Sequence, residues 1–414
     1  MSRTPFCLTV LVLLASGWAA CQRSPTEPAG LSAQDATYYV AAEESGADNE
    51  RCDGRAPSNQ GNGRCPFRDF SSPRTLQLLA SASGVRVSIR RGTYVLMQGL
   101  DINGAGTSEA GRVVLEAYQS EPVVLDGRNA PRELLVVSGR YVTVQGLTLQ
   151  NAGGYNLEVR GGQQVVIEGN RFLANRASDS LKGDGGAADV VVRNNDFSQW
   201  DSQAIDLTAV SRWRIERNRF HDPSGAGANA IGVKFGSRDV TIADNEFTNT
   251  QGLSLGGVSS AHGNAFEAFN VVAVRNTFRN VPGFAATLYS CSGCRFQDNE
   301  VDGAGGGLRL VGAATSGVSG CAGGCQPSRD VTASGNRLRN LVGGREGPAN
   351  VFWAVEATER EGLAPSSNTY CESVNGAARF WLAGDYVRFE EWVRAVPTDV
   401  SSAVAARTDQ GCAG

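Results

Sequence analysis

Of the 38 lysines and arginines in this chain, only Lys182 and Lys234 are lysines. Arginine keeps its proton throughout the physiological range, whereas a lysine amine can lose it when desolvated or crowded by other cations. The chain has therefore kept two groups able to act as general bases among cations that cannot. Four carboxylates lie close to them in sequence: Asp179, Asp184, Asp201 and Asp206. Hard carboxylate oxygens suit Ca2+.

Other chemistries are poorly represented. The only histidines are His221 and His262, which nearly excludes a multi-histidine metal site. Net charge is −4, and no basic run, phosphate-binding loop or HExxH is present, so the chain as a whole is not a nucleic-acid binder. Its 414 residues are 41% hydrophobic and include 51 glycines. That composition allows a large core with turns at close intervals.

Residues 1–20 read as a secretory signal, with an apolar run from Cys7 to Leu14 followed by small residues. The ending "WAAC" resembles a bacterial lipoprotein box with Cys21 as the lipidation site, although Trp18 stands where Leu is usual. Residues 21–37 then form a polar tether. The expected location is the outer membrane or cell surface, held by a lipid anchor only, with ordinary secretion as the alternative. Eight further cysteines fall in close groups: Cys52 with Cys65, Cys291 with Cys294, Cys321 with Cys325, and Cys371 with Cys412. In an oxidising compartment an even set implies disulfides, and local pairing is the simplest guess. Cys291, Cys294, Cys321 and Cys325 also have the spacing of a zinc site.

What positions the lysines is a repeat. "VVIEGNRF", "VVVRNNDF", "WRIERNRF", "VTIADNEF", "VVAVRNTF", "CRFQDNEV" and "VTASGNRL" each pair a short alternating strand with Asn, any residue, and a bulky apolar one. Their asparagines are Asn170, Asn195, Asn218, Asn245, Asn276, Asn299 and Asn336, and "YVTVQGLTL" reads as an earlier copy with Gln145 in place of Asn. A strand-bearing period of about 24 residues fits one coil of a parallel β-helix better than a leucine-rich repeat or a propeller blade. Asparagine suits the bends because it tolerates a left-handed backbone.

The pattern resembles the right-handed parallel β-helix proteins, the pectin-lyase-like superfamily. The likeness runs over roughly residues 38–410 and includes "YYVAAEESGADN", "SSPRTLQLLASASG" and the tail "ARFWLAGDYVRFEEWVRAVPTDVSS". It implies an all-β coil over residues 38–345 with three strands per turn. Its N-terminal part supplies a cap and the first turns, and residues 346–414 close the other end. Many unrelated activities share this scaffold.

Counting back from the repeat asparagines aligns "DSLKGD", "QAIDLTA" and "NAIGVKFGS". Leu181, Ile205, Leu207, Ile231, Val233 and Phe235 then face inward, and Lys182, Asp206 and Lys234 stack in one outward column. Glu158, Arg160, Thr208, Ser254 and His262 border that stripe. The resemblance implies an acidic polysaccharide bound along the sheet. Ca2+ on Asp179, Asp184, Asp201 and Asp206 would neutralise a uronate, and Lys234, or secondarily Lys182, would abstract the α-proton. Arg160, Thr208, Ser254 and His262 would contact the glycan, and the protein is expected to be a monomer.

Two other readings compete. Lys–Asp–Lys across neighbouring strands is also a good cross-strand charge ladder in a non-catalytic glycan-binding or structural coil. Glycoside hydrolysis is less favoured, because no adjacent Asp pair or RxK motif accompanies the histidines. Trp200, Trp213 and Tyr289 could stack on sugar rings, although Trp213 sits where the other repeats have a core residue and packing suits it better, whereas Trp353, Trp381 and Trp392 read as packing in the tail.

Overall fold

A computed structural model describes residues 36–80, 84–175, 178–225, 228–258, 260–342, 348, 350–372, 379–409 and 412. The expected signal segment, Cys21 and nearly all of the tether lie outside the described residues.

Each coil contributes one short strand to each of three sheets. Pairing between coils is parallel from Ala36–Val40 onward, and the antiparallel exception is Phe380–Leu382 with Asp385–Val387 at the far end. The third sheet carries the candidate residues. Its order runs through Tyr155–Arg160, Leu181–Asp184, Gln203–Thr208, Asn229–Lys234 and Gln251–Leu255. The coil does not stop at residue 345. Val351–Val355, Leu363–Ser366, Thr369–Cys371 and Ala403–Ala405 continue the three sheets in register.

Period-two alternation explains the core. Leu181, Ile205, Leu207, Ile231 and Val233 are fully buried, as the alternation predicts. The repeat phenylalanines stack along the axis. Phe172, Phe197, Phe220, Phe247 and Phe278 follow one another with centroids 4.4–4.9 Å apart and planes within 12°. Trp200 and Trp213 belong to this interior and are fully buried, so neither is available to stack on a sugar.

The asparagines form a continuous ladder inside one bend. Asn170 donates its amide to the Val144 carbonyl at 2.9 Å, and Asn195 Oδ1 accepts both the backbone N–H and the amide of Asn170 at 2.8 and 3.2 Å. The same pattern repeats through Asn218, Asn245, Asn276, Asn299 and Asn336 to Asn368. The left-handed residue is the one before each ladder asparagine, for example Asn194, Arg217, Asp244 and Arg275 with φ of 53–57°. Asparagine is therefore selected for its buried amide rather than for its backbone tolerance. Gln145 is not a rung. It pairs in register with Glu168, and its amide donates to Glu116 Oε2 at 2.7 Å.

The ends are closed as the repeat requires. The helix Pro73–Leu79 is capped by Ser72 and buries Leu78 and Leu79. Trp353 and Trp392 are fully buried in the tail. All four cysteine pairs expected from local spacing are disulfides: Cys52–Cys65, Cys291–Cys294, Cys321–Cys325 and Cys371–Cys412.

Candidate functional site

The stripe exists, with one correction to its register. On the third sheet Glu158 pairs with Lys182, Lys182 with Asp206, and Asp206 with Gly232. Lys234 pairs instead with Thr208, two residues further along the strand. The bends between this strand and the ladder differ in length, so counting from the asparagines places Lys234 one pleat out of column. Its long side chain restores the contact: Lys234 Nζ lies 3.1 Å from Asp206 Oδ1. Lys182 Nζ holds the other oxygen, Oδ2.

One carboxylate thus receives two ammonium groups, and the two lysines are not equivalent. The Lys182 side chain is 10% exposed and that of Lys234 20%. Burial disfavours the Lys182 ammonium, but the charge and hydrogen bond of Asp206 outweigh it, and its pKa lies above the ordinary lysine value. Lys182 and Asp206 together form a neutral buried pair. Lys234 is the more exposed of the two lysines and lines the cleft.

Gln203, which the sequence reading did not single out, completes the cluster. With its amide turned to suit both neighbours, the nitrogen donates to Asp206 Oδ1 at 3.1 Å and the oxygen accepts from Lys234 Nζ at 3.2 Å. Gly232 makes room for it, because a Cβ there would fall 2.1 Å from the Gln203 amide. A signal for Gln203 exists in the sequence. The third-sheet segments "QAIDL", "NAIGV" and "QGLSL" all open on an amide, and Gln203, Asn229 and Gln251 are in register.

Lys182, Asp184, Asp206, Thr208, Lys234 and Phe235 line a cleft of about 740 Å³, walled on the far side by Gly257, Val258 and Ser260. Phe235 was expected inward. It has φ of 61°, is only partly buried and faces this cleft, because the strand ends at Lys234. Thr208 donates to the Gly183 carbonyl at 3.3 Å. Arg160 is half exposed and ion-paired to Glu158 and, at 3.7 Å, Glu133. Ser254 donates to the Gly256 carbonyl at 3.2 Å. His262 does not open to the groove. Its side chain is 2% exposed and pairs with Glu267 at 2.9 Å. His221 lies on the second sheet between Asp222 and Asp196, away from the cleft.

The four aspartates expected to hold Ca2+ are not gathered. Asp179 is buried and accepts from the Gln203 backbone N–H at 3.1 Å, and burial with the nearby Asp206 charge pushes its pKa up to about 6. Burial, and then the charge of Glu158, raise that of Asp184. Asp201 is exposed on a bend. Both oxygens of Asp206 already face ammonium groups. Among the described residues, no three of these carboxylates bring oxygens within 4.8 Å of one another. The set does not fit a Ca2+ cage, which needs six to eight convergent oxygens.

The sequence profile described as a right handed beta helix region matches residues 132–267 and 184–323. No curated protein sequence matches significantly. Among solved structures, the chain is similar to XylC in its complex with xylose, with a TM-score of 0.58 and 10% identity over 90% of this chain and 86% of that one. It is similar to endo-xylogalacturonan hydrolase from Aspergillus tubingensis, with a TM-score of 0.57 and 13% identity over 89% and 99%. A hyperthermoactive exopolygalacturonase from Thermotoga maritima gives 0.50 and 12% over 73% and 86%. Identities this low establish a shared fold and nothing about chemistry.

Proposed function

We propose that this chain, a right-handed parallel β-helix, binds an acidic polysaccharide along its third sheet and cleaves it by β-elimination. The observation that carries this reading is the Lys234 amine in the cleft wall, beside a Lys182–Asp206 pair that is already neutral. Lys234 Nζ takes the proton α to a uronate carboxylate, a carbon–carbon double bond forms, and the glycosidic oxygen leaves and is protonated from solvent. The new ammonium stays 3.1 Å from Asp206 Oδ1. Gln203 holds the amine in place before the transfer. No step runs through Ca2+, because the aspartates do not assemble around one point.

The test is a screen of uronate polymers for the ultraviolet absorbance of the unsaturated product. Lys234→Ala should abolish it, and a product rate unchanged in that variant would sink the assignment. One observation favours a second reading: Lys182 is spent on Asp206, as in a structural charge ladder. A non-catalytic glycan-binding coil would retain polymer in a pull-down and release no product. Surface tethering through Cys21 belongs to the same proposal, and mass spectrometry of the mature N-terminus tests it. No described helix is long and apolar enough to cross a membrane.

A further inference from the structure

Behind the Phe235 wall of the cleft lies a second cluster with no part in the elimination. His262 Nε2 is 2.9 Å from Glu267 Oε1, and the same oxygen is 3.7 Å from Cys321 Sγ and 3.9 Å from Cys325 Sγ. The ligand atoms of His262, Glu267 and Cys321 all lie within 4.8 Å of one another. Glu267 is fully buried, and the His262 side chain nearly so. Burying a carboxylate needs partners, and here His262 and two backbone N–H groups supply them.

The spacing has a chemical counterpart. In a tetrahedral zinc site with bonds of about 2.0–2.3 Å, ligand atoms stand roughly 3.3–3.8 Å apart. The two sulfur contacts, 3.7 and 3.9 Å, already lie near that range, and the His262–Glu267 contact at 2.9 Å would open by a few tenths of an ångström. The missing change is at Cys321 and Cys325, which are joined as a disulfide. The Cys321 backbone N–H points at Cys325 Sγ at 3.3 Å, and Ser290 Oγ lies 4.0 Å from Cys321 Sγ, so both sulfurs have polar neighbours suited to thiolates. Cys325 is only partly buried, which gives a reductant and an ion a way in.

We propose that His262, Glu267, Cys321 and Cys325 form a redox-gated site for a divalent transition metal of the zinc class. Oxidised, the pair is a disulfide packed on Glu267. Reduced, it supplies two thiolates, which join the imidazole and the carboxylate as a four-ligand set. A phosphine opens the bond by giving two electrons to the sulfurs: it becomes the phosphine oxide with an oxygen from water, and two thiols form. Metal binding then releases two protons from those thiols. The imidazole coordinates through Nε2 and shifts its proton to Nδ1, giving up the contact that Asn264 N–H makes there at 3.3 Å. The site is coupled to the cleft, because Glu267 Oε2 accepts from the backbone N–H groups of Phe235 and Val258, both at 3.3 Å.

The test uses the full chain, reduced anaerobically with a water-soluble phosphine, freed of it, and titrated with Zn2+ or Co2+. Thiols are then alkylated with a maleimide and mapped by mass spectrometry. The expected result is one equivalent of Co2+ with a thiolate charge-transfer band, and zinc protection of Cys321 and Cys325 but not of Cys291 and Cys294. His262→Ala and Glu267→Gln should each weaken binding by at least the roughly 10–100-fold that even outer-sphere partners are worth. Circular dichroism of both variants checks that they fold. Protection mapping to Cys291 and Cys294, protection unaffected by His262→Ala, or a Cys321–Cys325 bond that resists reduction in the folded protein would each overturn the proposal.

Discussion

Lys234 Nζ meets Asp206 Oδ1 at 3.1 Å although the two residues are not partners in strand register. The contact spans a diagonal across adjacent coils, and it exists because Asp206 faces a glycine, Gly232, on the next strand. The site is therefore built as much by an omitted side chain as by those present.

The two lysines should separate in experiment. Lys234→Ala is expected to reduce elimination by at least about 100-fold, the lower range for loss of a general base, with little change in melting temperature. Lys182→Ala should instead destabilise the fold. The loss should fall toward the lower end of the roughly 3–5 kcal/mol of a broken buried pair, because Lys234 still faces Asp206. Thermal melts and initial rates on both variants check the split.

Gly232→Ala should act on rate without touching the reacting groups. Its Cβ would fall 2.1 Å from the Gln203 amide and push that amide off Lys234 and Asp206. A loss of about tenfold is expected, since small misplacements of a reacting group are costly. Gln203→Ala should give a similar loss, and the double variant should be no worse than either single one.

Stability should carry the signature of Asp179. Its folded pKa is raised to about 6 from 3.8 by burial and by the Asp206 charge. A raised carboxylate contributes stability that is fully present below the unfolded value and is lost as pH rises through the folded one. Asp179→Asn removes that dependence. The variant should therefore melt progressively higher relative to the parent as pH rises from about 4 to about 6, and the difference should level off above that. A difference that stays flat across this range would refute the assignment.

Chelation should leave the cleft's activity unchanged. The four aspartates do not converge, and the carboxylate nearest the base is already paired with two ammonium groups. Rates measured in a strong chelator and in excess Ca2+ should agree, and a Ca2+-dependent rate would show that substrate supplies the missing ligands.

Asp399 should be a keystone of the tail. Fully buried, it accepts from Tyr370 Oη and Trp392 Nε1, each at 2.7 Å, and from Ser402 Oγ. Asp399→Ala leaves these donors unmet and should cost about 3 kcal/mol or more, read by chemical denaturation.

The sequence announces the coil because buried chemistry repeats: each asparagine must satisfy the next, so its spacing survives changes in every loop. Gln145 shows where that signal misleads, since a like residue at the right spacing sits on a different column. The site is legible by composition, in two lysines among arginines, but not by counting. Register across a bend depends on loop length, which hid the offset of Lys234 and sent Phe235 to the wrong face. Trp200 looked exposed because it follows a repeat, yet the bend there turns inward. The Glu267 cluster could not be read at all, since it joins residues more than fifty positions apart.

The asparagine ladder also has a terminus. Asn368 N–H finds Ser402 Oγ at 2.8 Å instead of another asparagine, and Ala403–Ala405 covers the last strand of the second sheet. Without that stop the final coil would offer a row of unmatched donors and an open strand edge, which is a template for a second copy of the same chain. The tail thus ends the ladder on a serine and lays a strand of its own over that edge.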